Sequence, residues 1–292
     1  MARDAAGRQG FAKQKPERRE ARQGISDSNC SENTQTMADQ ALIRFIAAEL
    51  AEPTFPEAHA FAAEIGARPG VAAVLFYGSC LQRGTAEGML DFYALTDGAV
   101  AYGQKGLIDW LGRRLPPNVY PETFSGLKAK VAVVSMDEFH RRMEARRLDT
   151  TFWARFCQRA ALAWVRDDVA RTEAAKAVAS AAETAARWAA HLAPEESGAD
   201  AWRALFARTY KIEIRVEKPG RAADIVGADA ARFEELWRLT APARDAAPDM
   251  GSWALRWWVG KVLHVSRLLK AALTFEGGPR YLLWKIRRHR RR

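Results

Sequence analysis

Apolar and polar positions follow two rhythms along this chain, one of helical period and one of strand period, with turn residues between them. From Met37, "ADQALIRFIAAEL" sets Leu42, Ile43, Phe45, Ile46 and Leu50 at helical spacing. "PEAHAFAAEIG" predicts a second helix, with Pro56 at its start and Gly66 near its stop. "VAAVLFYG" reads as a short buried strand, rich in β-branched and aromatic residues. "MLDFYALTD" predicts the next strand and "QKGLIDWLGRRL" a helix. "LKAKVAVVSMDEF" predicts a third strand, then a helix that opens near Asp137 with Glu138 in its first turn. Residues 150–192, rich in Ala, Arg and Trp, read as helical, and "DAARFEELWRLT" resumes helix further on. Between them "YKIEIRVE", residues 210–217, alternates apolar and charged side chains as a half-exposed strand does.

This order predicts an α+β fold, a mixed sheet with flanking helices over residues 37–148. A mostly helical second domain over 149–248 is expected to lend its strand near 210–217 to the site. Residues 1–36 are polar, of mixed charge and aperiodic, and read as a disordered tail, because they hold too little apolar surface to offset their ordering entropy. The chain has 292 residues, 48% hydrophobic and 27% charged, which suits a globular protein with a substantial core. Its formal charge of +10 favours an anionic partner, although much of that charge sits at the two ends. Cys30, Cys80 and Cys157 form no CxxC pair, which argues against a disulfide framework or a cysteine zinc site and fits a reducing cytoplasm. The five His show no ligand spacing, and neither GxxxxGK[ST] nor GxGxxG occurs. No apolar run approaches the roughly 18–20 residues that span a bilayer, and the N-terminus shows no apolar leader.

Candidate chemistry concentrates in "LFYGSCLQRGTAEGMLDFYALTD", residues 75–97. One reading is an ordinary β-hairpin. The other is a phosphate-binding turn at Gly78-Ser79 facing a metal-binding carboxylate, Asp91. An ionised Asp between Leu90 and Phe92 is costly on a strand unless something satisfies it. Nucleotidyl transfer uses this pair of features: backbone N–H groups and a hydroxyl for the triphosphate, and a carboxylate holding Mg²⁺ beside the α-phosphate.

"YGSCLQR…EGMLDFYALTDGAVAYGQKGL" resembles the mitochondrial-type CDP-diacylglycerol synthases, the translocator assembly and maintenance family. Tyr77, Gly78, Ser79, Asp91, Phe92 and Asp97 stand at the matching positions. Nucleotidyltransferases in general carry a second acidic residue two positions after the first. This chain has Tyr93 there, and the family likewise lacks that carboxylate. "VYPETFSGLKAKVAVVS" is similar to a later family segment in which a Lys leads into a strand, the place of Lys130. "TYKIEIRVEKPGRAADIV" resembles a third, with Glu213 in place of an Asp and Arg215 kept. The resemblance spans roughly residues 70–235. It implies a nucleotidyltransferase-like fold and an Mg²⁺-dependent phosphatidate cytidylyltransferase, which converts CTP and phosphatidic acid to CDP-diacylglycerol and pyrophosphate. On that implication Tyr77, Gly78 and Ser79 hold phosphates and Asp91 binds Mg²⁺. Asp97 or Glu213 completes the metal site, and Lys130 with Arg215 neutralises phosphate charge. Two other readings stay open: a nucleotidyltransferase with a soluble small-molecule, protein or RNA acceptor, and a non-catalytic membrane-associated module of the same fold.

The C-terminal segment, residues 249–292, adds a second theme. At helical spacing Arg256, His264, Arg267 and Lys270 fall on one side, with Trp258, Val262, Val265, Leu269 and Leu273 opposite. Seven Lys or Arg follow Gly278 with no acid among them. Either a basic amphipathic helix lies on an anionic lipid surface through residues 253–292, or the helix docks on the protein's own core and leaves a solvated Arg tail. The resemblance favours the lipid surface, which implies a cytoplasmic protein peripheral to the inner face of the membrane (the matrix side in a mitochondrion). No sequence-specific nucleic-acid binding is expected, since no RNA-recognition signature accompanies the Arg tail. Exposed Trp and Leu would also suit a homodimer.

Overall fold

The computed structural model describes residues 39–98, 114–212, 221–245 and 252–274. Helix α1, over 39–50, and α2, Pro56–Gly66, precede strand β1, Val71–Tyr77. A short helix α3, Ser79–Arg83, leads into β2, Met89–Thr96. Strands β3, Asn118–Phe124, and β4, Leu127–Ser135, form a hairpin. Helices α4, Met136–Met143, and α5, Trp153–Phe156, follow, then β5, Ala160–Val165. The strands make one five-stranded sheet in the order β3-β4-β2-β1-β5. β2 and β4 are parallel and every other neighbouring pair is antiparallel, so the sheet is mixed, in keeping with the α+β class the sequence predicts.

Val71 to Phe76 of the interior strand β1 are buried on both faces of the sheet, hence its continuous apolar run. On one face Phe61 of α2 packs on Phe92 with ring centroids 5.4 Å apart, beside Phe76. The opposite face carries Leu75, Tyr93, Leu95, Ala132 and Val134 into a larger core with α4, α5 and the long α6, Asp168–Leu192. Asp167 caps α6, its carboxylate accepting from the Ala170 N–H at 2.8 Å, and the many Ala on the buried side of α6 let its neighbours approach closely. Helices α7, Gly198–Thr209, α8, Arg221–Gly227, α9, Ala230–Leu239, and α10, Ala241–Asp245, complete this side. Arg232 of α9 is buried and ion-paired with Glu49 of α1, and it also donates to the Cys157 carbonyl at 3.0 Å.

Three expectations change. The apolar run "AALAWV" inside the Ala-rich stretch is the edge strand β5 rather than helix, since it supplies the outer ladder of β1. Residues on both sides of the expected boundary at 148/149 therefore build one sheet and share one core. Tyr210, where a strand was expected to start, is instead the C-cap of α7, with Lys211 and Ile212 in the turn that follows. The rest of that stretch, Glu213 and Arg215 included, lies outside the described residues, as do most of the helix expected over "QKGLIDWLGRRL" and the polar tail 1–36.

The last helix, α11, Trp253–Thr274, has the two faces the spacing predicts, but the basic one points inward. Arg256 donates to the Ala145 carbonyl at 2.6 Å and to that of Arg147, its guanidinium 4.7 Å from the Trp188 ring centroid. Arg267 donates to the Pro116 carbonyl at 2.9 Å and pairs with the buried Asp149, which also accepts from Arg142 at 2.8 Å. Lys270 Nζ donates to the carbonyls of Leu115 and Pro117 and to Asn118 Oδ1 at 2.6, 2.9 and 2.8 Å. Burial, then the charge of Arg267, draws the Lys270 ammonium down to about 8. The physical reason for the inversion is that these carbonyls sit between regular elements and need donors, which the cations bring. A basic face offered by α11 to anionic lipid is thus corrected: its cations lie against the protein. Among the described residues no helix is long and apolar enough to cross a membrane.

Candidate functional site

One row of residues crosses the sheet where β1 ends. Tyr77 of β1 is the register partner of Asp91 of β2, and Asp91 is the partner of Lys130 of β4. Register partners share a sheet face, so the three side chains leave the sheet on the same side, the side of the larger core. Asp91 and Lys130 are half-buried at the margin of that core, where Tyr77 is also half-buried.

The turn that follows β1 brings its backbone onto the carboxylate. Gly78 has φ +91° and ψ −162°, a conformation open essentially to Gly alone. A Cβ there would stand 2.9 Å from Asp91 Oδ2. Glycine is therefore required twice, by its backbone angles and by the side chain it faces. Ser79, exposed, opens α3 immediately afterwards. The return loop is braced from within: Arg83 donates to the Glu87 carbonyl at 3.1 Å, and the buried Cys80 thiol faces the carbonyls of Glu87 and Met89. Cys80 is a packing residue of this turn, and Arg83 holds the loop's own backbone.

Tyr93 explains the missing second carboxylate in structural terms. Two residues past Asp91 on the same face, it is fully buried among Phe139, Phe152 and Phe156, with Phe156 4.9 Å away. Its hydroxyl accepts from Arg155 Nη1 at 3.1 Å. Burial raises its pKa against the lowering effect of Arg155, so it stays a neutral phenol. Arg155 also lies over the Tyr77 ring, 5.5 Å from its centroid. Half-buried, it adds a cation to the Asp91 side of the sheet. No local pattern marks Arg155 in the sequence; only the fold of α5 across the sheet brings it there.

Asp97 is not part of this row. It lies six residues further on, just past the end of β2 and about 20 Å away at the usual rise of a strand. It is exposed and ion-paired with Arg166, and its N–H donates to the Gly70 carbonyl at 2.9 Å. The pairing of Asp91 with Asp97 as metal ligands is therefore corrected: the strand carries them to opposite ends. Of the expected residues the structure brings together Tyr77, Gly78, Ser79, Asp91 and Lys130, while Glu213 and Arg215 fall outside the described residues. Among the described residues no three His, Cys, Asp or Glu cluster as a metal site.

No family model matches the chain, and no curated protein does. Among solved structures it is similar to a nucleotidyltransferase-like protein from Exiguobacterium sibiricum, at 13% identity and a TM-score of 0.26, over 72% of this chain and 74% of that one. At that level the chain's own residues, not the likeness, carry the site.

Proposed function

We propose that the Tyr77–Asp91–Lys130 row and the Gly78-Ser79 turn bind a nucleoside triphosphate, and that the protein is a nucleotidyltransferase. The observation that carries this reading is the approach of a bare glycine backbone to a strand carboxylate, with Lys130 in register beside it and Arg155 above Tyr77. Ligands with several phosphates need backbone N–H groups at close range and cations at their flanks, and a carboxylate beside them needs a cation of its own. Asp91 fits Mg²⁺ in that role, since Mg²⁺ commonly takes one or two carboxylates and draws its other ligands from phosphates and water. When bound, the ion lowers the cost of charge on the phosphates during displacement.

The finer reading takes its base and its acceptor from the resemblance to CDP-diacylglycerol synthases. In it, the phosphate oxygen of phosphatidic acid attacks the α-phosphorus of CTP. A new P–O bond forms, the bond to the β-phosphate breaks, and pyrophosphate leaves with that electron pair. The nucleophile is an ionised phosphate near neutral pH, so no side chain has to remove a proton from it. Gly78 and Ser79 orient the β- and γ-phosphates. Lys130 and Arg155 face the charge that collects on the departing pyrophosphate. Glu213 and Arg215 remain candidates for a further metal ligand and a further phosphate contact. Such an enzyme would be peripheral at the inner face of a membrane, and the seven Lys and Arg after Gly278 would supply the attraction to anionic lipid.

The test is purified protein with Mg²⁺, labelled CTP and vesicles containing phosphatidic acid. Lipid-soluble label that disappears in Asp91→Asn is the expected result. Label passing only to a water-soluble acceptor would leave the nucleotidyltransferase reading and remove the lipid. A chain that fails to bind any nucleoside triphosphate would sink both.

A further inference from the structure

The docking of α11 through its cations leaves its apolar side facing outward. Leu255, Trp258, Val262, Val265 and Leu269 are 51%, 65%, 61%, 44% and 53% exposed. We infer that this stripe is a homodimer interface, in which α11 packs antiparallel against α11 of a second copy about a two-fold axis beside Val262.

The spacing argues for a helical partner. The five residues recur by threes and fours in strict alternation, the 3.5-residue repeat of a coiled-coil seam rather than the broad apolar arc of a helix lying in lipid. Charge argues the same way. The basic residues Arg256, Arg267 and Lys270 are bonded to the protein's own carbonyls and to Asp149, and the Lys261 ammonium lies 5.0 Å from the Trp257 ring centroid. Anionic headgroups therefore find few cations along this helix.

The stripe is also complementary to itself. Leu255 and Leu269 are equidistant from Val262, so an antiparallel pair sets Leu255 against the partner subunit's Leu269. It sets Trp258, the largest side chain, against the partner subunit's Val265, one of the smallest, which fills the seam evenly. A parallel pair would instead crowd Trp258 on its own copy. The exposed parts of these side chains amount to roughly 500 Å² per copy, so two copies reach the ~1,000 Å² that a specific interface needs. This inference stands apart from the proposed reaction.

The test uses the full chain with Cys30→Ser, since Cys80 and Cys157 are buried. Sedimentation velocity at micromolar concentration should give twice the chain mass. Val262→Glu, at an exposed position, should give the single mass with unchanged circular dichroism. A short bis-maleimide should link Val262→Cys to itself. It should link Leu255→Cys only when that variant is mixed with Leu269→Cys. These cross-links decide the matter should Val262→Glu misfold. A single mass for the parent chain, or a dimer that survives Val262→Glu, overturns the proposal, as does self-linking of Leu255→Cys. A monomer whose binding to anionic vesicles is lost in Val262→Glu gives the stripe to lipid instead. A dimer that forms only after residues 279–292 are removed gives it to the chain's own tail.

Discussion

Gly78→Ala tests the centre of the candidate site most directly. At φ +91° and ψ −162°, a residue with a Cβ carries about 1–3 kcal/mol of backbone strain. The new methyl would also stand 2.9 Å from Asp91 Oδ2, where an unstrained contact is about 3.5 Å or longer, so the carboxylate must move or the turn must open. Together these effects put the loss at about 2–4 kcal/mol, or a fall of roughly 5–10 °C in Tm for a fold of this size. The two parts separate in a double-mutant cycle. In an Asp91→Ala background the strain remains and the steric part disappears, so Gly78→Ala should cost about 1 kcal/mol less there. Urea and thermal unfolding of the four proteins measure both terms. An unchanged midpoint in the single variant would refute the backbone argument. Equal costs in both backgrounds would refute the contact between Gly78 and Asp91, and with it the main support for the site.

Three further outcomes follow from the same structure. Asp149 is buried, which alone would raise its pKa, yet Arg267, Thr151 and Arg142 hold it down at about 2; a depressed carboxylate stabilises the fold above its ordinary pKa near 3.8 and loses that effect as pH falls towards 2, so urea midpoints should drop across this window in the parent chain and much less in Asp149→Asn. Removing one partner of the buried Arg232–Glu49 pair strands a charge, so Arg232→Met should lose about 3–5 kcal/mol and the double variant with Glu49→Leu should recover much of it; equal loss in the double variant would contradict this. Arg155→Gln should weaken binding of a nucleoside triphosphate by about tenfold or more while leaving Tm within a few degrees, and unaltered binding by calorimetry would exclude Arg155 from the site.

Much of the sheet was legible because its strands break the local rhythm of the chain. β1, β2 and β4 are short, apolar runs rich in β-branched or aromatic residues, and the Pro56 and Gly66 signals bracket α2. β5 was hidden because the small methyl of Ala suits a helix and a strand alike and does not declare a period of two against one of 3.6. The Gly78 turn and Asp91 were visible as residue types, but their contact depends on the antiparallel register of β1 and β2. Asp97 misled because sequence proximity to Asp91 says nothing once five extended strand residues intervene. Arg155 was one cation among 45 Lys and Arg, distinguished only by where α5 crosses the sheet. For α11 the two faces were plain and their orientation was not. Amphipathicity states that a helix has an apolar side, but unsatisfied carbonyls elsewhere decided which side meets the protein.

The exchange of a second carboxylate for Tyr93 bears on the charge the site can accept. A carboxylate at that position would be enclosed by Phe139, Phe152 and Phe156, with the Arg155 guanidinium as its partner, and would cancel that cation. With a neutral phenol there, Arg155 keeps its charge above Tyr77, on the side of the sheet that carries Lys130 and Asp91. A site of that balance suits a reaction in which every participant is an anion. In the proposed transfer the triphosphate, the attacking phosphate and the departing pyrophosphate are all negative, and each further carboxylate would need a further metal ion to offset it. Tyr93→Asp should therefore weaken the site rather than add a second metal to it. Gain of activity in that variant, with a steeper dependence on Mg²⁺, would show that the tyrosine replaces a ligand instead of guarding a cation.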